Sequence, residues 1–115
     1  MTDAYSSAVA RLSRVAGVRG ALVVDAETAV PVAAELREGV NGTALAALAA
    51  ALYLRTAEAT ASAQLGVVDS VQLDADDGHV TMVGSGDLIL IVISERSAQL
   101  GMVRIEARRV AAALS

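Results

Sequence analysis

The chain of 115 residues contains no cysteine, lysine, phenylalanine or tryptophan, and it has one histidine and one proline. Without cysteine there is no disulfide framework and no thiolate chemistry. Without lysine a phosphate-binding loop of the usual kind is excluded, so the chain is not an ordinary GTPase or kinase. The single histidine, His79, lacks the partners of a transition-metal site or a Ser-His-Asp triad. We therefore predict a protein that is not an enzyme and holds no cofactor or metal, with His79 in a surface role at a strand edge.

Positive charge is also sparse, and it is not clustered. All nine basic residues are arginine, against 13 acidic residues, which gives a net charge of −4 and a pI near 4.8. Binding to nucleic acid needs a concentrated positive field, and base stacking needs aromatic side chains. We therefore expect no nucleic-acid partner. The first residues do not have the pattern of a signal peptide, so a cytoplasmic location is expected.

Residues 41–65 carry the strongest indication of function, and they read NGTALAALAAALYLRTAEATASAQL. As a helix this stretch is apolar on two opposite sides instead of one. One side carries Leu45, Leu48, Ala49, Leu52, Ala59 and Ala63, and the other carries Ala47, Ala50, Leu54, Ala57 and Ala61. A helix that is apolar nearly all round is normally buried on more than one side. We therefore expect one side to pack on the chain's own sheet and the other to be covered by a second copy or another protein.

Residues 41–65 allow two other interpretations. Alanine is the best helix former, so an alanine-rich side could simply face solvent. A membrane span is disfavoured, because a bilayer requires about 20 apolar residues and Arg55, Thr56, Glu58 and Thr60 interrupt the run. We predict no membrane insertion.

The remaining patterns predict three helices and five strands in the order α-β-β-α-β-β-β-α. Helices are expected over 3–16, 41–65 and 97–114, and strands over 18–26, 30–36, 67–74, 79–83 and 88–93. Pro31 cannot donate to a ladder, which assigns the second strand to a sheet edge. The unbroken apolar run 88–93 predicts a central strand. Asp76-Asp77-Gly78 and the glycine-containing segment 84–87 predict hairpin turns, hence a mostly antiparallel sheet.

These elements predict an α+β sandwich in one domain spanning residues 1–115. The first and last helices would cover one face of the five-stranded sheet, and the long helix would lie alone on the other. One helix covers about 10 Å, whereas five strands span roughly 20–24 Å. The face beneath the long helix would be under-covered, which independently points to dimerisation.

Several local motifs admit a functional interpretation, but each has a better structural one. Residues 74–78 look like the start of a calcium loop, yet Ser85 occupies the position of the required glutamate, so a solvated hairpin tip is preferred. The glycines of segment 84–87 fit a hairpin turn better than a phosphate loop, because no helix follows at once. Arg108 and Arg109 suit the C-terminal end of a helix dipole. Arg55 could act as a finger toward a GTPase, but an ion pair with Glu58 is preferred.

Five segments together resemble the Roadblock/LC7 domain family, in particular its short bacterial, MglB-like members. They are VAGVRGALVVD at 15–25, LAALAA at 45–50, QLG at 64–66, GDLILIV at 86–92 and LGMVR at 100–104. The resemblance extends over essentially the whole chain and implies a profilin-like sandwich. One departure concerns the first hairpin, where family members usually have a glycine after the aspartate. Here residues 25–29 read DAETA.

The resemblance implies a homodimer in which the long helices pair and the third strands continue the sheet across two chains. It transfers the dimer contacts to Leu48, Leu52, Val71 and Leu73. It also implies a partner, a Ras-like small GTPase that docks on the paired helices, and transfers that role to Leu54, Arg55 and Glu58. Acceleration of GTP hydrolysis and the holding of one nucleotide state are both open. The alternatives are a small-molecule sensor and a structural subunit of a signalling or kinase-associated complex.

Overall fold

The computed structural model describes residues 3–114, in which three helices and five strands follow one another in the predicted order. The helices are α1 (Ala4–Ser13), α2 (Gly42–Ser62) and α3 (Leu100–Leu114). The strands are β1 (Val18–Asp25), β2 (Pro31–Leu36), β3 (Ser70–Ala75), β4 (Gly78–Ser85) and β5 (Leu88–Glu95).

The five strands form one antiparallel sheet in the order β2-β1-β5-β4-β3. Strand β5 is central, as its uninterrupted apolar sequence predicts. Strand β2 is at one edge and begins at Pro31, so the missing amide donor is not needed by a second neighbour. The other edge is β3.

The helices divide two to one over the faces of the sheet, as predicted. Helices α1 and α3 cover one aliphatic cluster and α2 covers another. Strand β5 serves both, because successive side chains of a strand point to opposite faces. Leu90 and Val92 belong to the cluster under α1 and α3, and Ile89 and Ile91 belong to the cluster under α2. The α+β sandwich expected from the sequence is confirmed.

Side-chain caps begin the first two helices. The Asp3 carboxylate accepts a hydrogen bond from the Ser6 amide at 2.7 Å, and the Asn41 side chain accepts one from the Ala44 amide at 3.0 Å. Aspartate and asparagine are among the residue types preferred at this position.

Four predicted element boundaries are wrong by three residues, and one of them is the end of α2, which lies at Ser62 instead of residue 65. Helix α1 ends at Ser13 instead of continuing to residue 16, and Gly17 turns the chain toward β1 with a φ of +86°. Helix α3 begins at Leu100 instead of residue 97. Strand β3 begins at Ser70, so Val67, the first residue of the predicted strand, lies before the observed strand and is 97% exposed.

The first hairpin turn closes without glycine. The Asp25 carboxylate accepts hydrogen bonds from the amides of Glu27 and Thr28, each at 3.0 Å, and so folds the turn back on itself. Ala29 then adopts a φ of +61°, a left-handed conformation that glycine takes at much lower cost. The departure from the family pattern therefore changes the chemistry of the turn but leaves the fold intact.

Candidate interaction surface of the long helix

The side of α2 that faces the sheet is built from alanine. Ala46, Ala49 and Ala50 are at most 3% exposed and belong to the cluster on this face of the sheet. The predicted division of the helix is therefore wrong by part of a turn. It placed Ala49 and Ala50 on opposite sides, although both are buried, and it placed Leu48 with Ala49, although Leu48 is 55% exposed.

The outward side of α2 is apolar and uncovered within the chain. Leu48 and Leu54 are 55% and 44% exposed, and Ala44, Ala47 and Ala51 are exposed beside them. At 3.6 residues per turn these five positions form one continuous side of the helix. The helix therefore has the second apolar side that the sequence predicts. The residues that form it differ from the predicted ones, because the prediction is rotated about the helix axis by the same part of a turn.

The charged residues of this surface are exposed and unpaired. Arg55 and Glu58 both lie on the solvent side of α2. The ion pair expected between them is not formed, and neither residue makes another within the described residues 3–114. Both side chains are therefore free to contact another molecule.

One flank of α2 faces the outer strands of the sheet. Leu45 and Leu52, about two turns apart on that flank, pack against the same cluster as Val71 of β3 and Val80 of β4. All four side chains are only half-buried. These partly covered aliphatic side chains line the space between α2 and the β3 edge of the sheet, which we call the step. Their partial exposure agrees with the expectation that one helix is too narrow to cover this face of the sheet.

The four predicted dimer residues lie along this step. Leu52 and Val71 contact a common cluster, and Leu48 precedes Leu52 by about one turn on the exposed border. Leu73 pairs with Val80 and is half-buried. It shares the sheet face of Val71, because the two are separated by two positions in one strand. The structure brings the four residues to one side of the molecule.

The opposite flank of α2 borders a cleft between two hairpin turns, which we call the turn cleft. It is lined by residues of α2, of the β1–β2 turn and of the β4–β5 turn, namely Ala26, Glu27, Tyr53, Leu54, Gly86, Asp87, Leu88 and Ile89. Leu54, Leu88 and Ile89 supply apolar walls. Glu27 and Asp87 are exposed on the rim, and neither forms an ion pair in the described part of the chain.

The two turns of the turn cleft are tied together. The Ala26 amide donates to the Asp87 carbonyl at 2.9 Å, which holds one turn against the other. The Asp25 carboxylate accepts hydrogen bonds from the Thr28 and Glu27 amides. These bonds lower the pKa of Asp25, and the bond from Thr28 is the largest cause. The side chains of Glu27 and Asp87 are used in none of these bonds, so the rim is positioned by backbone and stays free.

Tyr53 fixes the C-terminal half of α2 over the sheet. Its hydroxyl donates to the Val68 carbonyl at 3.1 Å. Gly84 lies directly beneath it, and a Cβ at that position would collide with the hydroxyl. Burial raises the pKa of Tyr53, and the negative charge of Asp69 adds to the effect. The hydroxyl therefore remains a protonated donor, and the position of α2 depends on a glycine for which the sequence suggests only a turn.

His79 does not have the surface role expected for it. Its side chain is 13% exposed. Nδ1 lies 2.7 Å from Asp74 Oδ1, and Nε2 lies 3.2 Å from the Arg96 carbonyl oxygen. The bond from His79 is the largest cause that lowers the pKa of Asp74, followed by one from Gln72. His79 thus links β3, β4 and the segment after β5.

The two arginines near the end of α3 have structural partners. Arg108 donates to Asp69 at 2.6 Å, and Arg109 donates to Glu106 at 3.1 Å. Within residues 3–114 no group of three histidine or acidic side chains is arranged to hold a metal ion. The same residues contain no helix that is both long enough and apolar enough to pass through a bilayer.

The structure defines an α+β sandwich domain in which a helix lies alone on one face of the sheet and its outward, exposed side is apolar. A model of the Roadblock/LC7 domain matches residues 6–95. The chain belongs to the Roadblock/LC7 domain family, and the resemblance noted from the sequence is confirmed.

Individual proteins resemble the chain in sequence or in fold. MJ0310, an uncharacterised protein of Methanocaldococcus jannaschii, is 27% identical over 100 residues, which cover 87% of each chain. Myxococcus xanthus MglB superposes with a TM-score of 0.87 at 18% identity, covering 96% of this chain and 90% of that one. Acanthamoeba castellanii profilin IB superposes with a TM-score of 0.64 at 18% identity, covering 96% and 95%. The two solved structures show a shared fold, and the profilin-like architecture expected from the resemblance is confirmed.

Sequence reasoning missed the rim of the turn cleft. Glu27 and Asp87 are 60 positions apart (87 − 27) and belong to different hairpins. Nothing in either local sequence indicates that the two turns meet. The hydrogen bond between Ala26 and Asp87 shows that they do. The order of strands could have suggested it, because adjacent β1 and β5 place the end of one beside the start of the other.

Proposed function

We propose that the protein is a non-catalytic, cytoplasmic homodimer that binds a Ras-like small GTPase through α2 and regulates it. The observation that carries the proposal is the exposed apolar side of α2, where Leu48 and Leu54 are 55% and 44% exposed. Large exposed apolar patches mark sites of protein interaction. Membership of the Roadblock/LC7 family, together with the GTPase regulation that the family resemblance implies, supports the choice of partner.

The dimer would form through the step between α2 and β3. Leu48, Leu52, Val71 and Leu73 would be covered by the same residues of a second copy, since a two-fold interface is made by one patch that meets itself. Support comes from the half-burial of Leu52, Val71 and Leu73 in the single chain. Strand β3 would add its free edge to the edge of its copy.

The GTPase would bind on the outward side of α2, with Leu54 as its apolar contact. Arg55 and Glu58 lie beside and one turn after Leu54, and both are exposed and unpaired in the described chain. Leu52 and Leu54 point about 160° apart on a helix of 3.6 residues per turn. Dimer contacts and GTPase contacts can therefore be separated by mutation.

The test is a binding measurement on Leu54→Asp with a candidate GTPase, loaded in turn with GDP and with a non-hydrolysable GTP analogue. Loss of a buried leucine removes about 1.5–3 kcal/mol, which corresponds to at least tenfold weaker binding. Ile105→Asp is the matched control, because Ile105 is 48% exposed on α3, on the other face of the sheet. Unchanged binding by Leu54→Asp, or equal losses in both variants, would refute the proposal.

The same assay distinguishes a regulator of the GTPase from a protein that only binds it. A regulator should prefer one nucleotide state, whereas a structural subunit would bind both equally. Stimulated hydrolysis would appear as faster phosphate release from the GTPase when the dimer is added. If Arg55 enters the GTPase site, Arg55→Ala should reduce that rate strongly, since such a finger is worth about 10³–10⁵ in turnover. Binding should change far less.

A further inference from the structure

The turn cleft has a character distinct from the apolar side of α2. Its walls are apolar, through Leu54, Leu88 and Ile89, and Ile89 is fully buried beneath it. Its rim is acidic, through Glu27 and Asp87. None of the described residues that line it is basic. A partner that fills this cleft must therefore match both an apolar floor and two negative charges.

The carboxylates of the rim are available for a partner. At several other acidic positions the charge is already used: Asp69 pairs with Arg108, Glu95 with Arg37, and Glu106 with Arg11. Glu27 and Asp87 make no such pair within residues 3–114. Complementary charges across an interface steer encounter and select between partners.

The cleft is also formed in advance. The bond from the Ala26 amide to the Asp87 carbonyl fixes the distance between the two turns, and the Asp25 carboxylate holds the first turn closed. Tyr53 anchors α2 as the third wall through its bond to Val68. A site that is already ordered loses less conformational entropy when it binds.

We propose that the turn cleft receives a segment of the partner protein in which a large aliphatic side chain is flanked by arginine or lysine. The aliphatic side chain would lie between Leu54 and Leu88, and the flanking cations would pair with Glu27 and Asp87. This rests on the proposed function in so far as the partner is the GTPase, whose contact surface would carry that segment. Glu58, one turn beyond Leu54 and exposed, extends the acidic rim along α2.

The cleft can be tested without the partner, by NMR on the isotopically labelled full chain. Two synthetic peptides serve as probes, identical except that a central leucine is flanked by arginines in one and by glutamates in the other. The arginine peptide should shift the amide signals of residues 26–27, 54 and 86–89, and the glutamate peptide should leave them in place. No shift at about 5 mM arginine peptide, equivalent to binding weaker than roughly −3 kcal/mol, overturns the proposal.

Neutral variants of the rim give the second arm. The pair Glu27→Gln and Asp87→Asn should weaken binding of the arginine peptide about three- to tenfold at low salt, because each exposed ion pair contributes modestly. The pair Glu38→Gln and Asp77→Asn is the control, since it removes the same charge from exposed positions outside the cleft. Equal effects of the two double variants would show non-specific attraction only and would refute the site.

The GTPase measurement distinguishes this proposal from the proposed function. If the GTPase binds the wild-type chain and the rim variant with equal strength, the cleft is not its docking site and the proposed function stands. If it binds neither while the arginine peptide still shifts the cleft signals, the cleft stands and the choice of partner is wrong. Weaker binding of the GTPase by the rim variant alone supports both.

Discussion

The two edges of the sheet differ in how well they are protected against pairing with another strand. Strand β2 begins with Pro31, and its register with β1 shifts between Val23 and Val24, which leaves Val32 as an extra, bulged residue. Proline and bulges are devices that blunt an edge. Strand β3 has neither: it pairs with β4 over six consecutive positions, from Ser70 to Ala75, without a shift. Of the two edge strands, β3 is therefore the one left open to pairing with another strand.

The largest effect is expected from placing a charge beside each edge in turn. Leu73→Asp, in the open edge strand β3, should dissociate the proposed dimer, because a two-fold interface loses the leucine twice, about 3–6 kcal/mol in all. Val32→Asp, at the guarded edge and already 46% exposed, should leave the dimer intact. Sedimentation velocity measures both. A stable dimer of Leu73→Asp, or dissociation by Val32→Asp, would reverse the assignment of the edges.

A smaller effect is expected from disturbing the contact between Tyr53 and Gly84, which holds α2 over the β4 side of the sheet. Gly84→Ala places a methyl group against the Tyr53 hydroxyl and should lower the free energy of unfolding by about 1–3 kcal/mol through overpacking. Gly101→Ala is the control, because open space surrounds that position and alanine favours helix over glycine by about 1 kcal/mol. Urea titration separates them. If Gly84→Ala is as stable as the unmodified chain, Tyr53 does not hold the helix.

The β1–β2 turn at the guarded edge can be improved. Ala29→Gly should raise the free energy of unfolding by about 0.5–1 kcal/mol, because glycine relieves the left-handed conformation at φ +61°. The same exchange at Ala34, inside β2, should destabilise by a similar amount, because glycine weakens a strand. Thermal unfolding of the two variants should therefore shift in opposite directions. Shifts of the same sign would show that strain at Ala29 is not relieved.

The smallest expected effect is a loss of stability at low pH, to which one carboxylate near each edge of the sheet contributes. Asp25, beside β2, and Asp74, in β3, each have a pKa below the ordinary value of 3.8. Their stabilisation is complete above that value and is lost as the pH falls through the lowered pKa, since protonation then removes the charged acceptor. The variants Asp25→Asn and Asp74→Asn keep an acceptor oxygen and should lose less stability than the unmodified chain between pH 4 and pH 2. Identical losses in urea titrations would contradict this.

The strands were predictable from sequence where one residue type has one meaning. Pro31 favours an edge strand, and six consecutive apolar residues favour a strand with two buried faces. The orientation of α2 was not predictable in the same way. Its alanines are alike, so periodicity could not tell the buried Ala50 from the exposed Ala47. The sequence predicted that α2 has an exposed apolar side, but the predicted position of that side on the helix was wrong by part of a turn.

The candidate site was predictable only in part, for a reason that concerns distance along the chain. Leu48, Leu52 and Leu54 lie in one helix, where spacing predicts relative direction. The rim of the turn cleft joins Glu27 to Asp87 through two hairpins and one backbone hydrogen bond. No periodicity extends over that separation. It becomes visible once β1 and β5 are known to be neighbours.

The proline at the start of β2 has a consequence for how far such an assembly could grow. Two chains joined through β3 would make a continuous ten-stranded sheet that ends on both sides in β2. Each of those ends would present a missing amide and a bulge to any incoming strand. The same sequence feature that marks an outer strand would thereby act as a stop, so that association ends at a pair instead of extending into a fibre.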